Sequence, residues 1–174
     1  MTMPNGDRYD GEFRATKMEG QGVFTWAGGG RYEGEFRDDT FNGRGVLTFP
    51  NGNRYEGEFR DGKQNGPGVL TFASGGRYEG VFRDGQLNGR GVGILGGLRY
   101  EGDFRDGHPT GRGVLVTANG ERYEGSVQDG RPHGYGTFTT PDGRTISGTW
   151  IKGCLAEGGR MVWIGTTAEA CGFK

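Results

Sequence analysis

Acidic and basic residues recur in this chain in columns, and the columns decide what chemistry it could carry. Asp10, Glu33, Glu56, Glu79, Glu101 and Glu124 hold one place in a recurring segment; Glu12, Glu35, Glu58 and Asp103 hold another, two residues on. Paired carboxylates can act as acid and base about a scissile bond, but a catalytic pair is placed once. Here the carboxylates recur with Arg31, Arg54, Arg77, Arg99 and Arg122 beside them. That pattern predicts a solvated face with cross-strand ion pairs, each contributing only ~0–1 kcal/mol when exposed. Arg37, Arg60, Arg83 and Arg105 make a basic column, and Arg44, Arg90 and Arg112 add another. These arginines are the groups that would meet an anionic lipid such as a phosphoinositide, although the interleaved acidic columns offset much of their field.

The remaining reactive residues are few. His108 and His133 occupy the same loop region of successive segments, with no cysteine or second histidine close in sequence, so no metal site is expected. Gly-x-Gly recurs, but a phosphate cradle needs a helix to follow the glycine turn, and here only strand-like sequence follows. Cys154 and Cys171 leave two alternatives open. A disulfide would hold the tail onto the last hairpin with ~3 kcal/mol and place the protein in a periplasmic or secreted setting; two free thiols would fit a cytoplasmic or membrane-peripheral one. No nucleophile–base pair, metal cluster or cofactor fingerprint stands out, which predicts a protein that is not an enzyme and uses no cofactor.

Composition narrows the architecture that positions these groups. Hydrophobic residues are 31% of the 174, glycine alone supplies 40, and the net charge is -1. So little apolar material cannot fill an ordinary two-layer core. The low net charge and 12% aromatic content argue equally against a disordered chain. Regular repetition is the way out. The near-zero charge gives no field for nucleic acid; no run approaches the ~18 apolar residues of a membrane-spanning helix; and Met1–Asp10 contains no signal-peptide-like apolar stretch.

The repeat is explicit. Arg-Tyr recurs at Tyr9, Tyr32, Tyr55, Tyr78, Tyr100 and Tyr123, with Ile146 in a degenerate seventh place. The steps are 23, 23, 23, 22, 23 and 23, the short one reflecting a residue lost between Gly91 and Tyr100. In the third copy Tyr55, Gly57 and Phe59 alternate with Arg54, Glu56, Glu58 and Arg60, which is a strand with one dry and one wet face. Gly66, Gly68, Leu70 and Phe72 alternate with Val69 and Thr71 in the second half. Asp61-Gly62, Asp84-Gly85, Asp106-Gly107 and Asp129-Gly130 supply turns within copies, and Asn51-Gly52, Asn119-Gly120 and Asp142-Gly143 between them. The pairs Gly20/Gly22, Gly43/Gly45, Gly66/Gly68, Gly89/Gly91, Gly111/Gly113 and Gly134/Gly136 read as bare floors on which tyrosine rings lie.

Tyr-Glu-Gly-Glu-Phe, then Asp-Gly, then Asn-Gly-x-Gly-Val-Leu-Thr-Phe, at a 23-residue period, closely resembles the MORN repeat. The resemblance covers roughly residues 4–153 and implies an all-β, elongated repeat solenoid of antiparallel hairpins, a single-layer, twisted, half-pipe-like sheet. It also implies scaffolding, protein docking and, as an alternative, membrane association. The array is expected over 1–153, with copies beginning near 8, 31, 54, 77, 99, 122 and 145, and a capping strand and tail over 154–174. Departures fall at Ala15-Thr16 and Asp38-Asp39, where other copies have Asp-Gly, and at Gly93, where Leu47, Leu70 and Leu115 sit; Gly93 should thin the core or permit a kink.

The expected partner is a protein, bound as a peptide or helical segment. Tyr55, Phe59, Tyr78, Phe82, Tyr100 and Phe104 repeat on one face with no helix-period segment to cover them, so they are expected to line its groove. The alternative is that the rings stack only on one another as core, with function at the edges. The chain opens inside the repeat pattern, so its first strand is expected to be an uncovered edge, open to pairing with another chain or with a second copy as a homodimer.

Overall fold

The computed structural model describes residues 1–157 and 159–172, and among them every regular element is a strand. Six hairpins follow one another: β1 (Arg8–Arg14) with β2 (Lys17–Thr25), β3 (Arg31–Arg37) with β4 (Thr40–Thr48), β5 (Arg54–Arg60) with β6 (Lys63–Thr71), β7 (Arg77–Arg83) with β8 (Gln86–Leu95), β9 (Leu98–Arg105) with β10 (His108–Val116), and β11 (Arg122–Gln128) with β12 (Arg131–Thr139). β13 (Thr145–Trp150) ends this series, and β14 (Cys154–Glu157) with β15 (Arg160–Trp163) form a separate two-stranded sheet. The thirteen strands are ordered strictly in sequence, antiparallel from β1 to β7 and from β8 to β13, and the sheet is not closed into a barrel. By internal contacts the chain divides into two units, Met1–Leu87 and Asn88–Lys174.

Turn chemistry sets this order. Each two-residue loop within a copy has positive φ at both central positions, as at Asp61 (51°) and Gly62 (78°). That geometry is the turn whose twist matches paired strands. The departures do not escape it: Ala15 (46°), Thr16 (71°), Asp38 (50°) and Asp39 (66°) take the same conformation without a glycine. The loops between copies are longer. In one, the Phe49 N–H donates to Asn53 O and the Gly52 N–H to Phe49 O, at 2.8 and 2.9 Å. The short step of the repeat is a change of turn: Gly96 (57°) and Gly97 (81°) make a two-residue loop joining β8 to β9.

The two glycines of each pair have different jobs, which the alternation alone conceals. Gly43 has φ 59° and lies where the β3–β4 register slips, between the pairings Gly34↔Gly45 and Glu35↔Asn42. A glycine at positive φ opening a bulge is a recurrent way to add twist. Gly45 is the floor: a Cβ there would stand 2.5 Å from Tyr32 Oη. It faces Gly34 across the strands, and a Cβ on Gly34 would meet the Gly45 Cα at 2.5 Å. Ring and bare backbone thus pack at a distance no other residue permits.

Each unit has its own row of rings. In the first, Tyr9 meets Phe36 edge-on at 4.9 Å, Tyr32 meets Phe59 at 5.0 Å and Tyr55 meets Phe82 at 4.9 Å, while Tyr32 stacks on Phe41 at 3.9 Å. In the second, Tyr100 packs on Phe104 and Tyr123 on Trp150. The tyrosine of one copy therefore touches the aromatic residue of the next, the nearest-neighbour packing a repeat array requires. Gly93 is buried opposite Tyr100.

The N-terminal edge differs from expectation. The edge of β1 is partly covered: Thr2 bridges Arg8, and the Tyr9 N–H donates to Met1 O at 2.9 Å. At the other end the copy lacking a tyrosine is completed from outside it. Leu155 of β14 lies over Gly148, where a Cβ would stand 2.8 Å from its Cδ1, and is 1% exposed. Cys154 and Cys171 are joined by a disulfide, with Cα atoms 5.6 Å apart. The bond ties β14 to the turn at 167–172. Of the tail, Phe173 and Lys174 lie outside the described residues.

Candidate functional site

The two faces of each hairpin divide the labour sharply. On the ring face, Tyr55, Phe59, Phe82, Tyr100 and Phe104 are 0–4% exposed, and Tyr78 is half-buried. Their hydroxyls are used as well. Tyr32, Tyr55, Tyr100 and Tyr123 donate to the main-chain oxygens of Glu35, Glu58, Asp103 and Ser126 at 2.9, 3.2, 3.1 and 2.7 Å. Burial pushes the Tyr55, Tyr100 and Tyr123 hydroxyls up to about 12, with the neighbouring Glu58 and Asp103 carboxylates adding to the shift at Tyr55 and Tyr100.

The opposite face carries the charges, and its closest ion pairs run along single strands, whereas Arg90 and Asp103 pair across β8 and β9 at 3.8 Å. Arg31, Arg54, Arg77, Arg99 and Arg122 each bind the glutamate two residues on along their own strand, at 2.6–2.7 Å. The i and i+2 side chains of a strand share one face, so the Arg-Tyr-Glu motif contains its own ion pair. These pairs are about half exposed. In the basic column, Arg37 is 3.8 Å from Asp61 and the Arg60 guanidinium donates to Asn65 Oδ1 at 3.1 Å; Arg83 and Arg105 are exposed. The Lys152 N–H donates to His133 Nδ1 at 3.4 Å, and among the described residues no three His, Cys, Asp or Glu side chains gather as a metal site. Among the described residues no helix is long and apolar enough to cross a membrane.

Between the ion pairs this face is hollow and apolar. In the first unit β4–β7 form an open trough of about 700 Å³ whose floor is the glycine backbone with Val46, Pro67, Val69 and Val81, and whose walls are Arg44, Glu56, Glu58 and Glu79. In the second unit β8–β11 form one of about 530 Å³, with Val92 and Val114 on the floor and Arg90, Arg112, Glu101 and Glu124 around it. None of these valines was among the residues expected to bind. Their signal lay in the sequence: Val23, Val46, Val69, Val92 and Val114 recur at the repeat period on the face that carries the charges.

A single sheet built from twisted hairpins, with stacked tyrosines on glycine floors and a charged, valine-floored reverse face, defines a β-hairpin repeat protein. The MORN repeat model matches residues 9–31, 32–54, 55–77, 78–92, 100–122 and 123–143, and the chain belongs to that family. No curated protein matches it by sequence. Among solved structures it resembles the TCP domain of SAS-4 (dCPAP) of Drosophila melanogaster, determined in complex with a proline-rich motif of Ana2 (dSTIL). The TM-score is 0.55 at 12% identity over 86% of this chain and 81% of that one. It also aligns with the TCP10 domain of Danio rerio CPAP, at TM-score 0.34 and 15% identity over 86% and 82% of the two chains.

Proposed function

We propose that this protein is a non-enzymatic binding module that takes an extended segment of a partner protein on its valine-floored, charge-walled face. The observation that carries this is the open trough over β4–β7, apolar at its floor and polar at its walls. Docking grooves share that combination. The row of Tyr55, Phe59, Phe82, Tyr100 and Phe104 is the less favoured surface, because rings already 0–4% exposed have almost no area left to bury on a partner. An extended, proline-rich segment suits such a trough. It has no internal hydrogen bonds to break and little chain entropy to lose, and the SAS-4 domain of similar fold was solved with a proline-rich motif bound.

Titration of the isotopically labelled chain with synthetic proline-rich peptides, read by amide shifts, tests the assignment. Shifts should gather on β4–β7, and Val69→Glu should abolish them while leaving the melting curve in place. Binding retained by a folded Val69→Glu variant would move the site off this face.

A further inference from the structure

The third copy of the repeat cannot make a hydrogen bond that the first two make, and the difference falls on the wall of the larger trough. In the first copy the Gln21 N–H donates to Glu12 Oε1 at 3.1 Å; in the second the Arg44 N–H donates to Glu35 Oε1 at 2.9 Å. The corresponding residues of the third copy are Glu58 and Pro67. Proline has no N–H, so the Glu58 carboxylate cannot receive that bond. It also takes no part in an ion pair among the described residues, whereas its neighbours Glu56 and Glu79 are held by Arg54 and Arg77 at 2.7 Å. Arg44 lies opposite Glu58 in the β4–β5 register.

A second departure stands beside the first. The fourth copy has Val81 where the first, second, third and fifth have Glu12, Glu35, Glu58 and Asp103 and the sixth has Ser126, and Val81 pairs directly with Pro67 across β6 and β7. Elsewhere this register position joins polar side chains, as Arg44↔Glu58 and Arg90↔Asp103. Here it joins two apolar ones, and both are exposed, Val81 to 50%. With half-buried Val46 and Val69 they give the trough an apolar floor next to a half-buried carboxylate that has lost its donor. A carboxylate free of the main-chain donor its counterparts use, next to exposed aliphatic surface, is matched by a side chain with both an aliphatic stem and a cationic donor.

Building on the proposed peptide-binding role, we propose that the β4–β7 trough selects an extended segment carrying an arginine next to proline or aliphatic residues. The guanidinium donates to Glu58, and its neighbours lie on Val46, Pro67, Val69 and Val81. Glu58 supplies the specificity, because a neutral side chain of the same shape leaves the carboxylate without a donor as the trough closes over it. The trough over β8–β11 does not share this preference. Arg90 and Arg112 stand on its walls, Arg90 lies 3.8 Å from Asp103, and a cationic segment there meets like charge.

The test uses the full chain and two blocked peptides of alternating proline and valine, one with a central arginine and the other with citrulline in its place. Binding is followed by fluorescence polarisation and mapped by amide shifts. The arginine peptide should bind roughly tenfold or more tightly, with shifts on β4–β7. Glu58→Gln should remove that preference. Pro67→Arg, which restores the residue type of the second copy and with it the N–H, should weaken the arginine peptide by a similar factor. Both side chains lie outside the ring row, and unchanged melting curves confirm folded variants. Equal binding of the two peptides on β4–β7 would overturn the arginine preference and leave the peptide-binding role standing. An absence of shifts on β4–β7 with either peptide would overturn both.

Discussion

Replacing Gly45 by alanine sets a methyl group against the face of a ring that cannot retreat. A Cβ at this position would stand 2.5 Å from Tyr32 Oη and 2.6 Å from its Cε2 and Cζ. Carbon atoms in contact prefer about 3.5–4.0 Å, so the overlap is roughly 1 Å. Tyr32 is 0% exposed, its hydroxyl donates to Glu35 O at 2.9 Å, and its ring stacks on Phe41 at 3.9 Å and meets Phe59 at 5.0 Å. Overpacking of this kind costs about 3 kcal/mol at the upper end of its usual range. The loss of glycine's freedom in the unfolded chain returns about 0.5–1 kcal/mol, leaving a net destabilisation of about 2 kcal/mol. Gly28 is the control: it lies in a loop, has nothing within 4 Å of a built Cβ and no positive φ, so Gly28→Ala should be neutral or slightly stabilising. Urea denaturation measures the difference, and hydrogen exchange should place the added fraying in β3–β5, because each copy contacts only its neighbours. A Tyr32→Ala background should make Gly45→Ala nearly harmless, since the ring it strikes is gone. Equal midpoints for Gly45→Ala and Gly28→Ala would refute the ring-on-glycine account of this sheet.

Three further outcomes follow from the same geometry. Thr16, β-branched at φ 71° in the first turn, should be a site of stored strain, so Thr16→Gly should stabilise by about 1 kcal/mol in urea denaturation. The Tyr55, Tyr100 and Tyr123 hydroxyls, raised by burial to about 12 from 10.0, should make the protein alkali-sensitive. Below pH 10 both folded and unfolded states keep these protons; between pH 10 and 12 the unfolded state loses them first, so stability should fall across that window, with a shallower slope in a Tyr55→Phe variant followed by circular dichroism. Reduction of the Cys154–Cys171 bond should raise the intact mass by about two protons' worth and open the C-terminal turn to protease, with about 3 kcal/mol lost from the local closure; a tail equally resistant in both states would show that Leu155 and Ile164 hold it unaided.

The amino-acid sequence determined the element order because its signals are local. Asp61-Gly62 can turn only where positive φ is tolerated, Tyr55 and Glu56 must point to opposite sides of one strand, and a 23-residue period repeats that decision along the chain. The same locality made the family legible before any tertiary contact was known. Tertiary structure decided what each column does. Alternation puts Tyr55 and Phe59 on one face, but only the fold shows that Tyr55 lies against Gly57 and Gly68 and that the two rings are 0% and 4% exposed. Alternation likewise treats Gly43 and Gly45 as equals, whereas the register slip makes one a bulge and the other a floor. The carboxylate columns looked like partners for arginines across the sheet, yet Arg54 reaches Glu56 on its own strand. The cysteines left two states open until the chain brought Cys154 and Cys171 within bonding distance. The Val46, Pro67, Val69 and Val81 floor needed both strand pairing and exposure to be seen. Period and alternation fix which residues are neighbours along a strand; how closely two backbones approach, and what is left for solvent, depends on atoms that the sequence places far apart.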